Sequence, residues 1–165
     1  MTRFSIKAFT MPVFLLVLTG CASSGETAPE QDPQVRQITQ SGHCGLTGPG
    51  VAYVDSPEVL ASFLGVRGQN MSTAVIRQVD LAQEQLIFVT LGQKPSAGYS
   101  LGLATANQEN HTLKLQLDLK TPAPGMMVAQ VITSPCVVLA ATGGNWDRIE
   151  VTGVTDKPLV ESVKR

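Results

Sequence analysis

The feature that most constrains the fold of this chain is the alternation in TLKLQLDL, residues 112–119. Leucines occupy every second position from Leu113 to Leu119, and polar or charged residues occupy the positions between them. Successive side chains of a β-strand point to opposite faces, so the pattern predicts a strand with one dry face and one wet face.

Two further strands are predicted before this one. Leu86–Leu91 (LIFVTL) is apolar at nearly every position, which favours an interior strand covered on both faces. Tyr99–Ala106 (YSLGLATA) follows the turn-forming segment GQKPSAG, and the polar NQENH segment then predicts a hairpin to residues 112–119. Together the three strands predict an antiparallel meander.

A short helix is predicted immediately after residue 56. Ser56 is a good N-cap, Pro57 suits the first helical position, and Glu58 suits the positive end of the helix dipole. Apolar residues then recur at helical spacing at Leu60, Phe63 and Leu64, and Gly65 follows as a helix end. A second short helix across Met71–Arg77 is also predicted.

The remaining apolar runs are short and separated by Gly- and Pro-containing turns. Those at Val35–Gln40, Val51–Val54, Val128–Ile132, Val137–Ala141 and Arg148–Val154 predict strands. The predicted fold class is therefore mainly β (α+β): an antiparallel meander forming a small sandwich or open barrel, with one or two short helices packed on it.

The N-terminus predicts export and lipid attachment. Arg3 and Lys7 precede the apolar run Ala8–Leu18, which is too short to span a bilayer, and the run ends at Leu18-Thr19-Gly20-Cys21. That ending resembles a bacterial lipobox. The resemblance implies cleavage before Cys21, a lipid on its sulfur and, because Ala22 follows rather than Asp, an outer-membrane location with the domain facing the periplasm.

The predicted domain organisation follows from these boundaries. Residues 1–20 are a lipoprotein signal peptide, and residues 21–34 are the lipidated cysteine and a flexible tether of small, polar and proline residues. Residues 35–155 form a single β-rich domain, and residues 156–165 are a polar, frayed tail.

Two cysteines remain if Cys21 carries lipid. Cys44 and Cys136 would then have one possible disulfide pairing, which the oxidising compartment favours. Two buried free thiols are an alternative, and so is a metal site involving His43, although no zinc-type ligand spacing is present.

The chain offers little support for catalysis or nucleic-acid binding. Its 12 basic residues are scattered, and aromatic residues make up 5% of the composition. His43 and His111 are the only histidines, and no nucleophile elbow or zinc-protease motif is present. We expect no enzyme activity, no cofactor, no metal and no nucleic-acid partner.

Two loops are candidate binding surfaces. The first carries Lys94, Pro95, Ser96, Gly98 and Tyr99. The second carries Pro124, Gly125, Met126 and Met127, where the methionines are of the adaptable kind found on tolerant binding surfaces. A structural role is the alternative in both loops, with Tyr99 covering a sheet end and at least one methionine filling the core.

The order of these features resembles the protease complex subunit PrcB family. The resemblance covers about Val79–Ala140, and its pieces are VDLAQEQLIFVTLG, KPSAGYSLGL, TLKLQLDL, TPAPGMMVAQ and TSPCVVLA. Ser96-Ala97 stand where the family usually has Thr-Gly, and Cys136 stands where an aromatic residue is common. The resemblance implies a lipoprotein that binds another envelope protein, such as a protease, without catalysis of its own.

Two other functions stay open from the sequence. PSAGY is similar to the Asn-Pro-Thr-Thr-Gly loop of chagasin-like cysteine-peptidase inhibitors, and residues 142–146 (TGGNW) offer a Gly-rich loop with a tryptophan. However, Lys94 stands where that family needs asparagine, and its Arg-Pro-Trp loop is absent. A small-ligand-binding lipoprotein is the other alternative.

Overall fold

The computed structural model describes residues 33–163, so the predicted signal peptide, Cys21 and most of the tether lie outside the described residues. The described chain is mostly β and has two short helices. Its strands are β1 (Gln34–Ser41), β2 (Pro49–Val54), β3 (Gln85–Leu91), β4 (Ser100–Glu109), β5 (Thr112–Lys120), β6 (Cys136–Thr142), β7 (Arg148–Thr152) and β8 (Leu159–Ser162), and its helices are α1 (Pro57–Leu64) and α2 (Thr73–Ile76).

The strands form two four-stranded sheets, and neither closes into a barrel within the described residues. The first sheet has the order β1-β6-β3-β2 and is antiparallel throughout. The second has the order β4-β5-β7-β8, in which β5 and β7 run parallel. The predicted mainly β, sandwich-like class is confirmed.

The first sheet is covered on both faces, as the apolar run at residues 86–91 predicts. Ile87, Val89 and Leu91 of β3 face the second sheet, whereas Leu86 and Phe88 face the helices. Strand β6 divides its residues between the two cores in the same alternating way. The molecule therefore has three layers: helices, the first sheet and the second sheet.

The second sheet is buried on one face only. The leucines of β5 point into the core between the sheets, as their alternation predicts. The hairpin from β4 to β5 turns at Asn110 and His111, both with positive φ, so β4 extends three residues beyond the predicted Ala106.

Helix α1 begins and ends where its sequence predicts. The Ser56 hydroxyl accepts a hydrogen bond from the Val59 amide at 3.4 Å, and Pro57 is the first helical residue. Leu60 and Leu64 are buried against the first sheet, and the ring of Phe63 stacks on Phe88 with 5.0 Å between centroids. The predicted second helix is present as the shorter α2.

The predicted three-strand meander is wrong in one connection. Strand β3 already pairs with β2 on one side and β6 on the other, so β4 has no free edge of β3 to join. The chain instead crosses between the sheets through residues 92–99 and starts a second pair of strands, β4 and β5.

Two other predictions are corrected. Val128–Ile132 is not a strand, because this segment makes its hydrogen bond to residues 92–99 at Ala129 and leaves Val131 and Ile132 exposed. The tail is not frayed over its whole length: Leu159–Ser162 pair with β7, and Val163 is buried. The ordered strands thus extend beyond residue 155.

Candidate functional site

The two candidate binding loops lie against each other. Lys94 and Thr133 exchange backbone hydrogen bonds of 2.9 Å in both directions, and the Ala97 amide donates to the Ala129 carbonyl at 2.9 Å. The Thr133 hydroxyl also donates to the Ser96 carbonyl at 2.9 Å. We call residues 92–99 and 121–135 the paired loops, since these hydrogen bonds join them.

Gly98 lies where the paired loops pack closely against each other. Its φ is +94°, and a Cβ built at this position would lie 2.9 Å from Cγ of Pro122 and 3.4 Å from Cγ1 of Val128. The position therefore requires glycine for both backbone conformation and space. The glycine predicted in the Pro-Ser-Ala-Gly-Tyr turn is thus explained by packing between the loops.

The other residues of the first loop divide between structural and exposed positions. Ser96 is buried, and its hydroxyl donates to the Ala97 carbonyl at 3.2 Å, so it is part of the loop scaffold. Tyr99 is partly buried against the core between the sheets, and the Lys94 ammonium lies 5.9 Å from the centroid of its ring. Pro95 is exposed.

The second loop presents apolar side chains to solvent. Pro124 and Gly125 are exposed, in a turn closed by the Met126 amide donating to the Ala123 carbonyl at 3.0 Å. The exposed fractions are 57% for Met126 and 99% for Met127, so neither methionine fills the core.

Two more exposed apolar residues follow, and the sequence did not identify them as candidates. Val131 is 49% exposed and Ile132 is 69% exposed. Because both residues are β-branched, the sequence favours a strand here and does not indicate that their side chains are exposed. The lack of strict period-two alternation through residues 126–132 is the signal that could have found them. We call Met126, Met127, Val131 and Ile132 the apolar loop residues.

A disulfide between Cys44 and Cys136 lies at the base of the paired loops, with 6.0 Å between the Cα atoms. The Cys44 amide donates to the Ser134 carbonyl at 2.9 Å, and the Ser134 amide donates to the Gly42 carbonyl at 2.8 Å. The cross-link and these bonds fasten the loop after β1 to the end of the second paired loop.

The histidines lie apart from each other in the fold. His43 pairs with Ser134 beside the disulfide, whereas His111 lies in the β4–β5 turn, where its Nδ1 is 2.7 Å from the Asn145 carbonyl. Within residues 33–163, no group of three His, Cys, Asp or Glu side chains is arranged to hold a metal ion.

The ring of Trp146 is buried. It is 1% exposed, contacts Tyr53 edge to face with 5.7 Å between centroids, and donates its indole N–H to the Gly143 carbonyl at 3.2 Å. The Gly-rich loop at residues 142–146 therefore lacks the exposed tryptophan that a chagasin-like contact would use.

Ion pairs are found away from the paired loops. Arg36 donates two hydrogen bonds to Glu84, from Nε at 3.0 Å and from Nη2 at 2.6 Å, and the hydrogen bond to Glu84 raises the pKa of Arg36. Lys114 donates to Glu109 across the β4–β5 hairpin. This hydrogen bond, reinforced by the opposite charges, lowers the pKa of Glu109 and raises that of Lys114.

A groove lies at the start of α1, on the helical layer. Its volume is about 600 Å³, and its lining includes Asp55, Leu60, Arg77 and Asp80. The charges are of both signs, which gives the groove no clear preference for a charged ligand. None of the helices in residues 33–163 has the length and apolar character needed to span a membrane.

Comparison with known proteins supports the resemblance seen in the sequence. The family model described as PrcB C-terminal matches residues 86–141, which run from β3 through the paired loops into β6. No curated protein and no solved structure matches the chain. The predicted resemblance to the PrcB family is confirmed over residues 86–141, the part of the chain that the family model matches.

Proposed function

We propose that this chain is a protein-binding module of an envelope protease complex and that it performs no catalysis itself. The observation that carries the proposal is the set of apolar loop residues, which are exposed on a loop held in place by hydrogen bonds. The concentration of four exposed apolar side chains within residues 126–132 favours an interaction site, and methionine side chains adapt to the shape of a partner. All four residues lie inside the PrcB C-terminal match.

The geometry favours binding over chemistry. The buried Ser96 hydroxyl donates a hydrogen bond to the backbone of its own loop, and the two histidines lie in separate parts of the fold. A nucleophile needs a base within hydrogen-bond reach. Backbone hydrogen bonds at Ala129 and Thr133 join the paired loops close to Met127 and Ile132, which suits a preformed docking surface.

The proposal includes the outer-membrane location predicted from the N-terminal sequence. A lipid on Cys21 would hold the chain at the outer membrane, with the domain facing the periplasm. A multi-chain lipid anchor gains about 0.8 kcal/mol for each buried CH₂ group, so attachment would be permanent. Labelled palmitate should be incorporated by the full chain but not by Cys21→Ser. Equal incorporation by both, or by neither, would contradict the anchor.

Photocrosslinking in intact cells tests the binding function. A photoreactive amino acid at position 127 of the full chain should crosslink a defined protein of a protease complex. The double variant Met127→Ser/Ile132→Ser should reduce recovery of that protein at least tenfold. Val160→Ser is the matched control, because Val160 is also an exposed apolar residue but lies on β8.

The result that would overturn the proposal is equally specific. If the double variant recovers the crosslinked protein as well as the unmodified chain does, the apolar loop residues are not the docking surface. If a small molecule co-purifies stoichiometrically and no protein is crosslinked, the chain is a ligand-binding lipoprotein.

A further inference from the structure

A small cavity opens beside Ile132, where His43, Arg67 and Gln93 approach one another from three loops. Its volume is about 220 Å³. Sites for drug-sized ligands usually exceed about 300 Å³, so this cavity has room for one side chain or one chain end. We call it the His43 notch. The rest of its lining is formed by Gly45, Gly68, Thr133 and Ser134.

The notch is rich in hydrogen-bond donors that have no partner. Among the described residues, nothing forms a hydrogen bond or ion pair with the ring of His43, the guanidinium of Arg67 or the amide group of Gln93. Among residues 33–163, no carboxylate lines the notch, in contrast to the α1 groove with its Asp55 and Asp80. The notch therefore complements a negatively charged group.

Ser134 adds a further donor to the lining. Its hydroxyl oxygen accepts a hydrogen bond from the Gly45 amide at 2.9 Å, which leaves the hydroxyl hydrogen to donate elsewhere. No described residue accepts it. The Ser134 backbone accepts a hydrogen bond from the Cys44 amide and donates one to the Gly42 carbonyl, so its place in the lining is set by the fold.

We propose that the His43 notch binds a carboxylate of the partner, supplied by an acidic side chain or a C-terminal carboxyl group. Arginine binds carboxylates with two parallel hydrogen bonds, and the size of the notch suits one such group. Ile132 belongs both to the notch lining and to the apolar loop residues. The partner segment would therefore place an apolar residue next to its carboxylate. This inference rests on the proposed protein-binding function.

Peptide titration of the isotope-labelled full chain in detergent tests the inference. One probe is Ac-Ala-Leu-Glu-Leu-Ala-amide, a second is Ac-Ala-Leu-Gln-Leu-Ala with a free C-terminal carboxyl group, and the control is the amidated glutamine peptide. We expect carboxylate-dependent shifts of the His43 ring signals and of the Gly45 and Gly68 amides. The His111 ring signals, in the β4–β5 turn, should not move. Which probe acts identifies the source of the carboxylate.

Charge reversal supplies the matched control. Arg67→Glu should weaken binding of the active peptide at least tenfold. Arg148→Glu, at an exposed position of β7, should leave binding unchanged. The amide spectrum of each variant verifies that the fold is retained. Inorganic phosphate is included as a competitor of different chemistry.

Three results would overturn the inference. They are equal binding of the control peptide and both carboxylate probes, unchanged binding by Arg67→Glu, and no response to either carboxylate peptide, whether or not phosphate binds. The proposed function fails by a different result, namely unchanged partner crosslinking in the Met127→Ser/Ile132→Ser variant. If the chain crosslinks its partner but binds neither carboxylate peptide, the carboxylate site is wrong and the proposed protein-binding function stands.

Discussion

Gly98 shows how a single residue holds the candidate surface in shape. We predict that Gly98→Ala destabilises the chain by about 1–3 kcal/mol, because the position combines a left-handed φ with a contact to Pro122. Gly125→Ala is the matched control: its φ is +79°, but nothing lies within 4 Å of an added Cβ. Urea unfolding of both variants should show the larger loss for Gly98→Ala. Equal losses would mean that backbone conformation alone explains the glycine.

The Glu109–Lys114 pair makes a prediction about pH. Because Lys114 lowers the pKa of Glu109 below its ordinary value of about 4.5, the pair stabilises the fold above that value. The contribution is lost as the pH falls through the pKa of folded Glu109. Lys114→Met should raise the pKa of Glu109, which a carboxyl NMR titration measures.

Lys120→Met is the control for this titration, since Lys120 is an exposed lysine of the same strand and forms no ion pair among the described residues. A Glu109 titration that shifts equally in both variants would show that general charge, not the specific hydrogen bond, sets the pKa. At high pH, the pair loses its stabilising effect when Lys114 loses its proton. Because the pKa of Lys114 is raised, this loss occurs only in strongly alkaline solution.

At the scale of whole elements, the facing edges of the two sheets are fastened by a side chain. Strand β1 shifts register between Gln37 and Thr39, and β4 shifts register between Leu103 and Thr105. The Gln37 side chain accepts a hydrogen bond from the Leu103 amide at 3.0 Å. An edge strand with unpaired amides is a template for aggregation, so this contact protects the edge of β4.

We predict that Gln37→Met destabilises the chain by about 0.5–1.5 kcal/mol and promotes self-association, because it removes the acceptor of the Leu103 amide. Chemical unfolding and light scattering measure the two effects. Gln34→Met is the control, because Gln34 lies on the same strand and its side chain has no described partner. Self-association of both variants to the same degree would argue against a protected edge.

The elements that the sequence predicts well are those whose side chains carry a complete periodic signal. The alternation of β5, the two-sided apolar run of β3 and the cap of α1 each correspond to an observed element. What periodicity cannot supply is the choice of strand partner. The Pro and Gly residues of segment 92–99 suit either a hairpin or a crossing between sheets. The crossing forms because β2 and β6 already occupy both edges of β3.

The sequence identifies the two loops of the candidate site separately, from their Pro, Gly, Tyr and Met residues. Only the fold shows that they meet, with Lys94 bonded to Thr133 and Ala97 bonded to Ala129. Val131 and Ile132 have strand-forming side chains, so local propensity pointed to the wrong environment. The notch depends on Arg67, an exposed loop residue with no sequence signal, which long-range packing places beside His43.

For the molecule as a whole, we expect the Cys44–Cys136 cross-link to affect both the free energy of unfolding and peptide binding at the His43 notch. The two cysteines are 92 residues apart, and the loop-entropy relation assigns a cross-link of that span about 4–5 kcal/mol. We predict that the double variant Cys44→Ser/Cys136→Ser loses stability of this order in urea unfolding. Reductant should lower the stability of the unmodified chain by a similar amount and have no effect on the variant.

The position of the cross-link predicts a second loss. Cys44 and Cys136 closely follow the strand pairing of His43 with Ser134, two residues that line the His43 notch at the base of the paired loops. Reduced but still folded chain, prepared without denaturant and verified by its amide spectrum, should therefore bind the carboxylate peptide more weakly than oxidised chain does. The Lys114→Met variant, altered in the β4–β5 hairpin, should bind as the unmodified chain does. If reduction lowers stability but leaves peptide affinity unchanged, the cross-link stabilises the sheet without organising the notch, because the backbone bonds of Ser134 then suffice to hold its shape.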